Sequence, residues 1–277
     1  MEPPESRPLI ASLQAKAAWV WRRTLQFHRA CPDTRIASSL SLVEVFTCLF
    51  YGGLLKQFPE RLDHPDRDRL IISKGHGSIA MYPILGDLGY FDLGLLERPE
   101  DPDAFLGSIP DPMIPGYETV NGSLGHGPGI ACGIAYALKV QERPQNVVVV
   151  AGDGELNEGS VWEAVMFAAH HQLDNLTMIL DNNRKSMLGL CADIVQLEPL
   201  EPRFQGFGWE AQRVDGHDVQ AVQTALAQVL PKRAGKPKLL IADTVKGHGV
   251  PELERDDLCH IRTLSPATLD ALLEARP

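Results

Sequence analysis

Gly152-Asp153-Gly154 places an aspartate between two glycines, Glu155 follows it, and residues 155–181 separate it from the pair Asn182-Asn183. If each motif closes a strand, a carboxylate and an amide oxygen come together at one sheet edge. Both are hard oxygen donors of the kind Mg²⁺ accepts, and the ion would keep open positions for a diphosphate and a water. Glycines on both sides of Asp153 let the backbone approach phosphates closely. A helix starting just after Glu155 would turn its N-terminus toward that negative charge. Alone, Gly-Asp-Gly is also an ordinary turn; the asparagine pair ending the next strand is what points to a metal.

Several elements must hold these residues. Leu9 to Ala30 has helical apolar spacing, and Leu40 to Tyr51 reads as a second helix capped by Ser39 or Ser41 and ended by Gly52-Gly53. Further helices are expected at Leu124 to Gln141, Glu158 to His171 and Val219 to Leu230. Strands are expected at Leu70 to Ile72, Val147 to Ala151, Leu176 to Leu180, Trp209 to Val214 and Lys238 to Ala242. Pro99 to Pro115 carries five prolines and reads as loop. Continuous apolar strands alternating with helices imply an α/β fold, a parallel sheet with helices on both faces. Ligands of such sheets bind beyond the carboxyl ends of the strands. Ser73 to Gly77, Gly152 to Glu155 and Asp181 to Asn183 should therefore converge on one site.

Composition narrows the classes. The 277 residues are 44% hydrophobic and 22% charged, which is ordinary for a globular chain of one large or two small domains. A net charge of −10 repels a phosphate backbone, so no nucleic-acid partner is expected. The longest aliphatic run, Val147 to Val150 with Ala151, is far short of a membrane span. Met1 to Pro8 holds three prolines and two glutamates and does not read as a secretory signal. The five cysteines are odd in number and lack metal or redox spacing, which implies free thiols in a reducing, cytoplasmic setting.

The stretch from Gly152 to Asn183 is similar to the thiamine diphosphate motif, and six segments together resemble the N-terminal, diphosphate-binding domain of transketolase. In chain order they are Ser73-Lys74-Gly75-His76-Gly77; Pro115-Gly116-Tyr117-Glu118-Thr119 with Gly122-Ser123-Leu124-Gly125; Gly152-Asp153-Gly154-Glu155-Leu156-Asn157-Glu158-Gly159; Asp181-Asn182-Asn183; Val214-Asp215-Gly216-His217-Asp218; and Thr244-Val245-Lys246-Gly247-His248-Gly249. The resemblance implies a single domain over residues 1–277 and a transferase of aldehyde or ketone residues in carbohydrate metabolism. A complete transketolase is more than twice as long, so the chain looks like the N-terminal subunit of a split enzyme. The pyrimidine-binding and C-terminal domains would lie on a second polypeptide, in a two-plus-two heterotetramer. Carried over residue by residue, the resemblance gives Mg²⁺ to Asp153, Asn183 and the backbone carbonyl of Lys185. It sets Gly154 against the diphosphate and His76 near the reacting carbon. Gly122, Ser123 and Leu124 would contact the cofactor, as would Gly152 and Glu155 of the metal loop. His260 would face the sugar, and Glu158 and Glu163 would lie between paired active sites, unless they form a solvated helix face. His126, where the family has Gln, either touches the cofactor or caps its helix; His217 reads as a turn residue, and His170 and His171 as helix-end residues.

Two family histidines are replaced. Arg35 stands in one position, and the stretch Ser108-Ile109-Pro110-Asp111-Pro112 puts Ser108 or Ile109 in the other. Those histidines meet the terminal hydroxyl of the transferred ketol unit. An isoleucine cannot satisfy a hydroxyl, and an arginine forks onto carboxylates or phosphates. Three readings follow. The first is transfer of a two-carbon ketol unit to an aldehyde. The second is acyl or glycolyl transfer from a 2-keto acid or ketose to an unusual acceptor, such as a lipoyl or carrier-protein thiol. The third is a non-catalytic assembly or regulatory homologue.

Overall fold

The computed structural model describes residues 6–275 except 78, 100, 102, 103, 111 and 121. The proline-rich residues 1–5, Asp111 of the 108–112 stretch and the last two residues lie outside the described residues. Helix α1 (Ser6–Ala30) runs into the short α2 (Ile36–Leu40) and then α3 (Val43–Tyr51). Strand β1 (Arg69–Ile72) leads through a 3₁₀ turn at Gly75–Gly77 to α4 (Met81–Asp87). The described residues of 99–115 hold neither helix nor strand, as their prolines demand. Next come α5 (His126–Val140), β2 (Val147–Gly152), α6 (Gly159–His170) and β3 (Leu176–Asn182). The chain continues through α7 (Cys191–Ile194), α8 (Leu200–Gly206), β4 (Glu210–Asp215), α9 (Val219–Val229), β5 (Lys238–Asp243), α10 (Pro251–Arg255) and α11 (Pro266–Ala275).

All neighbouring strands are parallel, in the order β1-β2-β3-β5-β4. This is the expected α/β architecture. Because side chains alternate across a strand, one valine run serves two cores. Val148 and Val150 of β2, with Ile179 and Leu240, face the layer formed by α1, α3 and α9. Val147, Val149 and Ala151, with Met178 and Ile241, pack on α5, α6 and α8. Each fully buried aliphatic side chain contributes roughly 1.5–3 kcal/mol, so β2 and β3, buried along their whole length, anchor the sheet. The edge strand β4 is only half-buried.

Register fixes the site. Gly152 pairs with Asp181, and Asn182 with Asp243, so β2, β3 and β5 end level with one another. The loops after them must emerge side by side.

One expectation fails. Neither Ser39 nor Ser41 is a helix N-cap; Ser41 instead closes α2 as its C-cap. The segment divides into α2 and α3, and α3 starts at Leu42 without a side-chain cap. Ser39 Oγ donates to the Arg35 carbonyl at 3.2 Å. Ser41 Oγ reaches across to Asp181 Oδ2 at 2.7 Å. A buried carboxylate at the sheet edge competes for the hydroxyl more strongly than a helix terminus does.

Candidate active site

The carboxyl edge of the sheet carries two buried aspartates. Asp153 follows β2 directly and is 8% exposed. Its Oδ1 accepts the Gly154 N–H at 2.7 Å, and its Oδ2 accepts the Arg184 N–H. That second bond needs the left-handed backbone of Arg184, where φ is 64°, a conformation that costs a non-glycine residue about 1–2 kcal/mol. The turn thus sets Asn183, Arg184 and Lys185 against Asp153. Asn183 is buried, and its Oδ1 accepts the Lys185 N–H at 3.1 Å. Burial, and then the charge of Asp181, push the Asp153 carboxyl up to about 6, against the pull of its two N–H donors.

Asp181, one residue before the end of β3, is fully buried and takes four donors: Lys74 Nζ, Thr244 Oγ1, Ser41 Oγ and, at 3.0 Å, Asn183 Nδ2. Burial alone would raise it; the Lys74 charge and these hydrogen bonds outweigh that and hold it below the usual carboxylate range. Removing one partner of such a buried pair strands a charge, at a cost of about 3–5 kcal/mol. Lys74 is the lysine of the Ser73–Gly77 segment, so the predicted convergence of that segment with Asp181–Asn183 is present. The third segment joins through Glu155. Its buried carboxylate takes the Ser73 hydroxyl, the Gly125 N–H at 2.7 Å and the Gly152 N–H at 3.2 Å. Glu155, expected among the cofactor contacts, thus turns inward and ties three loops together. Gly127 donates to Ser73 Oγ at 3.1 Å, and a Cβ there would lie 2.4 Å from Ser73 Cβ, which only glycine avoids.

Lys246, on the turn after β5, completes the edge. Its ammonium donates to the Lys185 carbonyl at 2.8 Å and lies 2.9 Å from His260 Nδ1. Burial, followed by the like charge of Lys74, lowers it to about 8. The rings of His76 and His260 stand 4.8 Å apart. Burial and then the charges of Lys246, Lys74 and Arg35 lower His260 to about 4; His76 falls well below its ordinary value, by burial first and Lys74 next. Both are therefore neutral imidazoles near pH 7. An ammonium on Nδ1 leaves the ring proton of His260 on Nε2.

The rim is open. Gly122 and Ser123 are exposed and Leu124 is half-buried on the loop before α5. Ile109 is 46% exposed, and its methyl lies 3.7 Å from where a Cβ on Gly122 would sit; Ser108 beside it is half-buried. Arg35 is half-buried, and its guanidinium donates to the Asp33 carbonyl at 3.4 Å. It meets no carboxylate among the described residues. Glu158 and Glu163 are exposed, flanking the start of α6. His126 is the exposed first residue of α5, whose N-cap is Gly125, so His126 is not the cap. A cavity of about 310 Å³ opens beside Asp153 between Leu156, Leu190, Cys191 and Leu200.

Lys74, Asp181, Thr244 and Lys246 stand inside the sequence motifs, yet no role for them follows from the motifs alone. The available signal is two lysines placed directly after apolar strands, where a buried charge demands a counter-charge. Elsewhere, Glu44, His217 and His248 bring ligand atoms within 4.8 Å. His217 already takes the Val245 N–H on Nε2 at 2.8 Å and faces Glu44 with Nδ1 at 3.1 Å. Both ring nitrogens are thus engaged, and His217 serves as the expected turn residue. The five cysteines are free.

Comparison with known proteins agrees with this edge. Residues 36–274 match the family described as transketolase, thiamine diphosphate binding domain. The chain is 38% identical over 239 residues to the 6-deoxy-6-sulfo-D-fructose transketolase subunit SqwG of a Clostridium species, covering 86% of each. It is 36% identical to an apulose-4-phosphate transketolase subunit of Actinobacillus succinogenes, covering 87% of each. Among solved structures, a transketolase from Campylobacter jejuni superposes with a TM-score of 0.86 at 29% identity, over 96% of this chain. The chain spans 43% of that structure's length. With residues 36–274 matching the family and the parallel sheet in register beneath the site, the chain belongs to the transketolase thiamine diphosphate-binding domain family, alongside relatives named as transketolase subunits.

Proposed function

We propose that this chain is the diphosphate-binding subunit of a two-chain, Mg²⁺-dependent transketolase-type enzyme that moves a two-carbon ketol unit to an aldehyde. The observation that carries the reading is the meeting of Asp153, the Asn183–Lys185 turn, Lys246 and the His76–His260 pair at one sheet edge. The donors suit the ion: a carboxylate, the Asn183 amide oxygen and the Lys185 carbonyl are all hard oxygens. A cation, the Lys246 ammonium, already sits on that carbonyl. The cradle suits a phosphate, since a Cβ on Gly154 would lie 3.4 Å from Ser186 Cβ and narrow the gap between the two loops.

When bound, thiamine diphosphate supplies a nucleophilic carbon that can hold the electron pair of a broken carbon–carbon bond. The chain's own residues do the rest. Lys246 offsets phosphate charge, a local cationic spot on a chain of net charge −10. His260 presents Nε2–H to a substrate oxygen, and neutral His76 meets the diphosphate side of the reacting centre. Gly122, Ser123 and Leu124 border the cofactor from the open rim, while Gly152 and Glu155 hold the phosphate loop in shape. Relatives of similar length are named as subunits, which supports a separate pyrimidine-binding partner. That partner would supply the glutamate that activates the aminopyrimidine. Glu158 and Glu163 would then lie where two copies meet. The free cysteines fit a reducing compartment, and among the described residues no helix is long and apolar enough to cross a membrane.

Calorimetric titration of thiamine diphosphate into the co-purified pair, with and without Mg²⁺, tests the reading. Saturable binding that needs the ion is expected. A pair that binds no cofactor would return the chain to an assembly role.

Arg35 and Ile109 favour a second reading of the donor. A guanidinium without a carboxylate partner, near two neutral histidines, suits a carboxylate-bearing donor such as a 2-keto acid. An isoleucine against the Gly122 loop leaves a hydroxyl of the transferred unit unpaired, a loss of about 1–3 kcal/mol or roughly five- to 150-fold. In donor competition, pyruvate is expected to outrun xylulose 5-phosphate, and Arg35→His with Ile109→His to reverse the order. A wild type that uses the ketose efficiently and ignores keto acids would leave the plain ketol reading standing.

A further inference from the structure

Lys246 sits on the atom that the metal needs. Its Nζ donates to the Lys185 carbonyl at 2.8 Å, in a pocket where Lys246 is 2% exposed. Three observations make this more than a local tie. The ammonium arrives from the turn after β5, while the carbonyl belongs to the loop after β3, so the contact bridges two elements. Gly247 holds the turn in place: its φ is 82°, its N–H donates to the Ala37 carbonyl at 2.8 Å, and a Cβ there would lie 2.4 Å from Leu253 Cβ. The same pocket holds two buried carboxylates, Asp153 and Asp181, of which Asp181 has Lys74 as its own partner. Asp153 is held by backbone N–H donors, and the Lys246 charge acts on it through space.

We infer that Lys246 is an internal cation that competes with the divalent ion for the Lys185 carbonyl, so that metal alone binds weakly and metal with diphosphate binds strongly. This inference rests on the metal assignment proposed above. A divalent ion would lie about 2.0–2.1 Å from that oxygen, and the ammonium lies 2.8 Å from it. Two cations sharing one carbonyl in a buried pocket repel strongly. The carbonyl oxygen has two lone pairs, so what opposes the ion is the charge of the ammonium beside it, and a diphosphate arriving with the ion provides the negative charge that draws the ammonium away. Metal and cofactor then load together, and neither alone holds the site in its working form. By reciprocity the metal raises the affinity for diphosphate by the same factor.

The test uses Mn²⁺ as the probe, with binding followed by electron paramagnetic resonance, on the full-length chain. Lys246→Met keeps the aliphatic stem and removes the charge, and is expected to bind Mn²⁺ alone roughly tenfold tighter than wild type. Lys246→Arg, which keeps the charge, should stay weak. The gain in Mn²⁺ affinity on adding thiamine diphosphate should shrink in Lys246→Met. Equal Mn²⁺ affinities in wild type and Lys246→Met overturn the role given to Lys246. Asp153→Asn separates this failure from the other: Mn²⁺ binding that survives Asp153→Asn sinks the metal assignment itself. If Lys246→Met does not fold, the wild-type chain labelled with ¹⁵N-lysine decides. Its Lys246 ammonium signal, assigned by its loss in Lys246→Arg, should move once Mg²⁺ without cofactor is raised until the ion occupies the site, and a signal that stays in place while the ion binds overturns the inference.

Discussion

Asp153→Asn is expected to abolish Mg²⁺-dependent binding of thiamine diphosphate while removing the loss of stability that Asp153 imposes on the empty chain as pH rises through about 6. The two effects have one cause. Asp153 is nearly buried, no cation pairs directly with its carboxylate, and the neighbouring charge of Asp181 opposes its ionisation. Its carboxyl is held at about 6 in the fold, against 3.8 ordinarily. A raised carboxyl binds its proton more tightly folded than unfolded. Below about 3.8 both states are protonated and the residue costs nothing. The penalty grows as pH rises and is complete above about 6, where it reaches roughly 3 kcal/mol. Asparagine removes the charge but turns one of the two accepting oxygens into an NH2 group facing a backbone N–H, a cost that does not depend on pH. The urea midpoint of the variant should therefore gain on that of the wild type as pH rises from about 4 to 7. Calorimetry should show no metal-dependent cofactor binding in the variant. Unchanged cofactor affinity in Asp153→Asn would reject the metal role, and a midpoint difference that does not change with pH would reject the electrostatic account.

The chain on its own is expected to give no measurable turnover, and mixing it with the pyrimidine-binding partner to restore activity from that background. Gly122 and Ser123, the neighbours proposed for the cofactor, are exposed in the single chain, as are Glu158 and Glu163. Beside them the outer faces of α5 and α6 present Ile130, Tyr136, Val140, Met166 and Phe167, each at least 40% exposed. Exposed apolar side chains grouped on two packed helices, with Tyr136 and Phe167 ring to ring, suit an interface. Half a cofactor site on an open face cannot exclude water from the reacting centre. Light scattering on the mixture should give two copies of each chain. Turnover by the chain alone, after any co-purified partner is removed, would overturn the two-chain reading.

The elements that read most clearly in the sequence are those set by local pattern. The Val147–Val150 run forms β2, which extends to Gly152. The Val219 helix begins at Asp218, whose carboxylate takes the Gln220 and Ala221 N–H groups. The strand-end position of Asp153 and Asn183 is legible for the same reason. Less legible is whatever depends on strand order. Residues 74, 181 and 246 are far apart in the chain and meet only because β1, β2, β3 and β5 lie side by side. Ser41 reads as a helix cap because its neighbours in sequence are helical; its partner, Asp181, is 140 residues away. Glu155 reads as a cofactor contact along with its motif, and only the folded chain shows three loops drawing its carboxylate inward.

That inward carboxylate has a consequence for descent. The loops bearing the proposed phosphate and cofactor contacts are pinned from beneath, by Glu155 with Ser73, Gly125 and Gly152. Arg35 and Ile109 sit on the rim, half-exposed or more, with few ties to the rest. Substitutions there leave the anchor untouched. A lineage can therefore exchange the residues that greet a substrate without first repairing its scaffold, and neighbouring members of one family can diverge in diet while their buried hubs stay fixed.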